Sequence, residues 1–119
     1  MSRKPETVFR TRVRALLKKL SLEGPLWYEA IQQKSIKGSP DYVLCLGGLF
    51  IALELKKSEK DKPDPVQQAK LRQISEACGM SLVAYPENWI HTAELITGLV
   101  HEAKQELENE SRNRDTQQN

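Results

Sequence analysis

Three charged residues flank the apolar stretch GSPDYVLCLGGLFIALELK, which runs from Gly38 to Lys56. Asp41 precedes the first apolar run, and Glu54 and Lys56 close the second. Two carboxylates held side by side repel each other unless a proton or a cation lies between them, and clustered carboxylate oxygens suit a hard ion such as Mg²⁺. A neighbouring lysine can bind a phosphate oxygen or orient a water molecule. Together, the metal ion and the ammonium group suit phosphodiester hydrolysis.

The two apolar runs predict a β-hairpin, because Gly47 and Gly48 tolerate the positive φ angles that a two-residue turn requires. A turn centred there pairs Asp41 with Glu54 and places both side chains on one face. Alternation along the strand adds Lys56 to that face. A simpler alternative is a salt-bridged strand end, in which Lys56 only pairs with the two acids.

The other hairpin residues predict which face is buried. The face opposite the acids forms the core and carries Tyr42, Leu44, Leu46, Leu49, Ile51, Leu53 and Leu55. The acidic face continues towards the turn as Val43, Cys45, Phe50 and Ala52. We therefore expect both faces to be covered near the turn, with only the open end of the hairpin polar.

The elements that must position this hairpin follow from periodicity and capping signals. The pattern predicts a helix over Pro5–Leu20, strands over Leu26–Ile31, Asp41–Leu46 and Leu49–Lys56, a helix capped by Asp64 and ended by Gly79, a strand over Met80–Tyr85, and a helix from Trp89 to about Leu107. The apolar face of the last helix is expected to carry Ile90, Leu95, Ile96, Leu99 and Val100. The order α-β-β-β-α-β-α predicts an α/β fold with a mixed sheet flanked by helices, in which the third and fourth strands are parallel.

Length and composition limit the classes of protein that fit. With 119 residues, 39% hydrophobic and 29% charged, the chain predicts one soluble globular domain over residues 1–108 and a polar, disordered tail over 109–119. No apolar run is long enough to span a bilayer, so no membrane partner is expected, and no secretory signal is visible. We expect a cytoplasmic protein of a bacterium or a phage-infected host, with Cys45 and Cys78 reduced and buried.

Basic residues concentrate in two parts of the chain. Residues 1–20 carry seven lysines and arginines against the single acid Glu6, and a second basic run follows the hairpin. Two basic zones on a small domain are typical of a protein with a polyanionic partner. A solvated surface without a partner is the alternative.

The motif around the hairpin resembles that of the PD-(D/E)XK nucleases. Pro40-Asp41, twelve residues, and then Glu54-Leu55-Lys56 match the motif. The segments KGSPDYVLCLGGLFIALELK and KPDPVQQAKLRQISEACGMSLVAY look like the VRR-NUC branch, the virus-type replication–repair nucleases. The resemblance covers about residues 5–98 and implies a restriction-endonuclease-like core. The literal VRR string is replaced by RVRALL.

The resemblance implies a role for each residue of the motif. Asp41 and Glu54 would bind the metal ion, assisted by the backbone carbonyl of Leu55. Lys56 would assist the attacking water molecule. The implied cofactor is Mg²⁺, with Mn²⁺ as a substitute.

Two further site residues come from matching helix positions. Glu6 matches the helical acid of the family, which reaches the metal directly or through water; the alternative is an acid that only complements the helix dipole. Gln68 matches the helical glutamine that supports the motif lysine. Gln67 is the rival if the helix register differs, and an ordinary surface glutamine is the remaining alternative.

The implied function is a metal-dependent DNA endonuclease of replication, recombination or repair, selective for Holliday junctions or other branched DNA and acting as a homodimer. Phosphate contacts are expected from the basic residues Arg10, Arg14, Lys34, Lys37, Lys57, Lys60 and Lys62. Trp27 and Tyr28 either belong to the core or stack on nucleotide bases. A non-catalytic nucleic-acid-binding accessory protein is the alternative, and action on RNA stays open.

Overall fold

The computed structural model describes residues 4–32 and 37–117. Its elements are α1 (Pro5–Glu23), β1 (Leu26–Ala30), β2 (Tyr42–Leu46), β3 (Leu49–Leu55), α2 (Pro65–Glu76), β4 (Met80–Ala84), a single 3₁₀ turn (Pro86–Asn88) and α3 (Trp89–Gln117). The predicted order of helices and strands is confirmed. The strand ends differ by one residue, because Asp41 and Lys56 lie just outside β2 and β3.

The four strands form one mixed sheet in the order β1-β2-β3-β4. β1 and β2 are antiparallel, β2 and β3 are antiparallel, and β3 and β4 are parallel, so α2 is the predicted crossover. The predicted hairpin register is also confirmed, since Tyr42 pairs with Leu53 and Leu46 pairs with Leu49. Gly47 and Gly48 have φ angles of 58° and 88°, as a type I′ turn requires.

The core lies between one face of the sheet and the helices α1 and α3. Its fully buried side chains include Val13, Leu17, Leu20, Leu44, Ile51, Leu53, Ile96 and Val100. Trp89 also packs into this core and stands edge-on to Phe9, with ring centroids 5.8 Å apart. The predicted division of the hairpin into a core face and an acidic face therefore holds on the core side.

The opposite face of the sheet is covered only in part, which corrects the expectation that both faces are covered near the turn. α2 contacts β4 there, and the Ser81 hydroxyl donates a hydrogen bond of 2.6 Å to the Leu71 carbonyl. Trp27, Cys45 and Phe50 form a row across β1, β2 and β3. Trp27 is 56% exposed and Phe50 is 45% exposed. Because α1 and α3 pack on the other face and α2 lies over β4, this row faces solvent.

Both cysteines differ from their predicted burial. Cys45 and Cys78 are free, as expected, but both are exposed. Cys78 follows the last turn of α2 with a φ of 69°, so a left-handed residue lies one position before Gly79, which is predicted to end the helix. Gly79 donates its N–H to the Ile74 carbonyl, and a Cβ on Gly79 would lie 2.8 Å from the Ile74 side chain. The glycine is therefore required by close packing.

α3 is longer than predicted and uses a narrower apolar face. It continues to Gln117, so residues 109–117, predicted as a polar and disordered tail, are helical in the structure. The extension has neither glycine nor proline, and an ion pair of 3.9 Å between Glu110 and Arg114 supports it at i, i+4 spacing. Ile90 and Leu95 are exposed, since the buried stripe runs along the other side of the helix through Trp89, Ile96 and Val100. Along the described chain, no helix combines the length and apolarity needed to cross a membrane.

Candidate active site

Asp41 lies one residue before β2, where its backbone and side chain both form hydrogen bonds. Its carbonyl accepts a bond of 2.8 Å from the Ile31 N–H, and its Oδ2 accepts one of 2.8 Å from the Leu55 N–H. The hairpin register predicts that Asp41 pairs directly with Glu54 in the β-ladder, but the structure does not show this pair. Instead, its carboxylate bonds to the backbone of the residue after Glu54, which still brings the two acids to one end of the sheet.

Glu54 is the least exposed charged residue of this cluster, at 4%. Its Oε2 accepts a hydrogen bond of 3.3 Å from Nε2 of Gln67. The same glutamine accepts a bond of 3.1 Å at Oε1 from Nζ of Lys56. A single side-chain amide thus connects the buried carboxylate to the motif lysine, and burial makes such polar partners necessary.

Gln67, rather than the predicted Gln68, reaches the site. Gln68 is exposed and its Nε2 donates a bond of 2.7 Å to the Pro63 carbonyl, so the placement of Gln68 in the cluster is wrong. α2 begins at Pro65, which turns its third residue towards β3. The spacing Asp64-x-x-Gln67 is a capping-box signal that favours Gln67.

α1 brings Glu6 and Arg10 to the same place. Arg10 lies between two acids: its Nε is 3.6 Å from Oε1 of Glu6, and its Nη1 is 3.5 Å from Oδ1 of Asp41. Arg10, predicted as a phosphate contact, is therefore also a counter-cation of the acidic cluster. On the other side of α1, Val13 and Leu17 are buried in the core, and this packing holds the helix against the sheet.

These residues border one cavity of about 290 Å³. Its lining includes Glu6, Arg10, Asp41, Glu54, Leu55, Lys56, Lys57 and Gln67. Asp61 also borders the cavity, and the sequence analysis did not select it because it lies in a charged loop among other charged residues. The predicted motif residues therefore converge on one polar depression.

The carboxylates present fit a magnesium ion that keeps most of its water. Mg²⁺ commonly takes one or two carboxylates and retains several water molecules. Within residues 4–32 and 37–117, no three His, Cys, Asp or Glu side chains are grouped closely enough to bind a metal ion together. Among the described residues, four carboxylates border the cavity, those of Glu6, Asp41, Glu54 and Asp61, and Arg10 contacts two of them, Glu6 and Asp41. Two of these carboxylates would be enough for such an ion, and the sequence resemblance selects Asp41 and Glu54.

Two of the predicted phosphate-binding residues, Arg10 and Lys57, border the cavity. The side chains of Arg14, Lys37, Lys60 and Lys62 are exposed. Lys34 lies outside the described residues. Exposed cations can neutralise the phosphates of a polyanion and release its counterions. Their contact with a nucleic acid stays a prediction.

The two aromatic residues of β1 differ in environment. Trp27 is exposed on the open sheet face, while Tyr28 packs on the core side, with its ring centroid 6.4 Å from that of Tyr42. Only Trp27 is therefore available to a stacked base.

Comparison with known proteins shows a solved structure with a similar fold. No protein-family model and no curated protein matches the chain. A solved structure described as a "VRR_NUC domain" superposes with a TM-score of 0.54 and 21% sequence identity, over 76% of this chain and 92% of that chain. The chain thus has a VRR-NUC-like fold, as the sequence resemblance predicts.

Proposed function

We propose that this protein is a metal-dependent endodeoxyribonuclease that hydrolyses phosphodiester bonds. The observation that carries the proposal is the convergence of Asp41, Glu54 and Lys56 on one cavity, with Gln67 hydrogen-bonded to the last two. The VRR-NUC-like fold supports a relationship to nucleases. DNA is the substrate that this fold and the exposed cations favour.

The catalytic roles follow from the chemistry of the side chains. Mg²⁺ would be held by Asp41, Glu54 and the backbone carbonyl of Leu55, and Mn²⁺ could substitute for it. The bound metal ion would supply an activated water molecule and stabilise charge on the phosphate. Lys56 presents N–H donors to the attacking water or to a phosphate oxygen. Gln67 holds the Lys56 ammonium in place through its Oε1. The Leu55 N–H holds the Asp41 carboxylate in the same way.

The finer proposal concerns the shape of the DNA. Phosphate contacts carry no base sequence, so the exposed lysines and arginines favour selection by structure rather than by sequence. We propose Holliday junctions or other branched DNA as the substrate. A homodimer is the matching assembly, because a four-way junction requires two symmetric cuts. Sedimentation of the protein on junction DNA at micromolar concentration tests this, and a monomer alone on the junction contradicts it.

One assay tests the nuclease function. The protein is incubated with junction, flap, single-stranded and double-stranded DNA, and with the matching RNA, in Mg²⁺, Mn²⁺ or EDTA. We expect metal-dependent DNA cleavage that is lost in Glu54→Ala and Lys56→Ala. Glu108→Ala and Lys104→Ala are matched controls, because both residues are exposed on α3 away from the cavity.

The outcomes of that assay separate the alternatives. Cleavage that survives Glu54→Ala and Lys56→Ala contradicts the proposed site. Binding without cleavage under every metal ion supports the accessory-protein alternative. Cleavage of RNA alone moves the substrate from DNA to RNA and leaves the site intact.

A further inference from the structure

The N-terminus of α2 is joined to the candidate active site through one residue, Gln67. Asp64 is the N-cap of α2, and its Oδ1 accepts a hydrogen bond of 2.9 Å from the Gln67 N–H. In return, Oε1 of Gln67 accepts a bond of 3.2 Å from the Asp64 N–H. This reciprocal capping box uses the same Oε1 that accepts from Nζ of Lys56 and the same amide that donates to Glu54.

The capping box determines which way the Gln67 amide faces. A glutamine side chain can rotate by half a turn and exchange its oxygen with its nitrogen. Only one orientation satisfies all three neighbours, because the Asp64 N–H and Lys56 Nζ are donors while Glu54 Oε2 is an acceptor. The main-chain N–H of Asp64 cannot reverse its role, and it therefore favours the orientation in which Nε2 faces Glu54.

We propose that Asp64 is a positioning residue of the candidate active site and acts through Gln67. Its side chain fixes the first turn of α2, and its N–H holds the Gln67 oxygen where Lys56 Nζ can donate to it. The catalytic consequence rests on the proposed nuclease function. The orientation of the amide does not rest on that function, because it depends only on the three hydrogen bonds of the Gln67 side chain.

The backbone of Asp64 permits a direct test of its N–H. With φ at −70°, residue 64 already has the backbone angle that proline requires, and proline has no N–H. Asp64→Pro therefore removes both halves of the box, while Asp64→Ala removes only the side-chain half. Asp64→Ser keeps a hydroxyl acceptor and the N–H, and serine is as good an N-cap as aspartate.

A matched control separates positioning from general weakening of the helix. Gln73 is exposed in the interior of α2, and Gln73→Gly destabilises a helix by an amount similar to the loss of an N-cap. Gln73 does not border the cavity. If Asp64 only stabilised the helix, Asp64→Ala and Gln73→Gly would change amide exchange and cleavage to the same extent.

The first measurement is the solvent exchange of the Gln67 side-chain amide by NMR, with the signal assigned by its loss in Gln67→Ala. We expect exchange about tenfold faster in Asp64→Pro, because loss of the Asp64 N–H releases Gln67 Oε1 and thereby weakens the bond from Nε2 to Glu54 that protects the exchanging hydrogens. Asp64→Ala is expected to be intermediate, and Asp64→Ser and Gln73→Gly to resemble the wild type. Unchanged exchange in both Asp64→Pro and Asp64→Ala, or an equal change in Gln73→Gly, overturns the proposal.

The second measurement is cleavage kinetics. We expect kcat to fall about tenfold in Asp64→Pro with KM unchanged, and to fall no further when Asp64→Pro is added to Gln67→Ala. Additive losses mean that Asp64 does not act through Gln67, and they overturn the proposal. If the amide exchange changes as expected while the wild-type protein cleaves no substrate, the positioning role stands and the nuclease function is refuted.

Discussion

Replacing Arg10 by methionine should strengthen the binding of a divalent metal ion. Arg10 contacts Asp41 at 3.5 Å and Glu6 at 3.6 Å, so its guanidinium lies where a metal ion would find carboxylate oxygens. A metal ion that binds Asp41 must compete with this cation. Methionine keeps the length and the apolar part of the side chain but removes the charge.

The size of the effect follows from the geometry and from solvent screening. At 3.5 Å, two unit charges attract by about 5 kcal/mol with an effective dielectric constant of about 20. The Arg10 side chain is 40% exposed, however, and pairs of this kind contribute only about 1 kcal/mol in practice. Removal of Arg10 should therefore lower the Kd for Mn²⁺ about fivefold.

Calorimetric titration with Mn²⁺, in the absence of DNA, measures this Kd. Arg14→Met is the matched control, because Arg14 lies one turn further along α1, is exposed and does not border the cavity. Its Kd should equal that of the wild type. The reasoning is refuted if Arg10→Met binds Mn²⁺ with unchanged or weaker affinity, since Arg10 would then support the acidic cluster instead of competing with the metal.

Three further predictions concern the hairpin and its surroundings. Insertion of one alanine between Gly47 and Gly48 should abolish metal-dependent cleavage, because the turn sets the register of β2 and β3. Circular dichroism should still show a folded protein, and normal cleavage by this variant would contradict the prediction. Leu44→Ala should lower the free energy of unfolding by about 2–5 kcal/mol, whereas Phe50→Ala on the open face should cost much less in the same urea titration. Lys57→Ala should weaken DNA binding and reduce the slope of log K against log salt by about 1, and an unchanged slope would remove Lys57 from the phosphate contacts.

The hairpin was predictable in detail because its determinants are local. Two consecutive glycines select the turn, alternation separates the faces, and the register then follows, so the convergence of Asp41, Glu54 and Lys56 could be expected from the sequence. The position of Asp41 beyond β2 could not be expected from the sequence, since it involves a hydrogen bond from the Leu55 N–H to the Asp41 side chain.

The errors concern features that depend on neighbouring elements or on exact helix ends. The exposure of Cys45 and Phe50 reflects where α2 packs, which strand alternation does not contain. The choice of Gln67 over Gln68 required the first residue of α2 to be known exactly, because one position rotates a side chain by about 100° around the axis. α3 is longer than predicted because its last turns have no apolar stripe to indicate a helix, and the i, i+4 ion pair of Glu110 and Arg114 supports them instead.

The two tryptophans lie in opposite environments, and this gives the protein two separate fluorescent reporters. Trp89 is buried against Phe9 in the core, whereas Trp27 stands on the open face of the sheet. Emission from Trp89 should be shifted to the blue and should report global unfolding, while emission from Trp27 should lie further to the red and respond to acrylamide in the native state. Each of the variants Trp27→Phe and Trp89→Phe keeps one tryptophan. The emission of Trp27 could then report a ligand on the sheet face, and the emission of Trp89 the unfolding of the core.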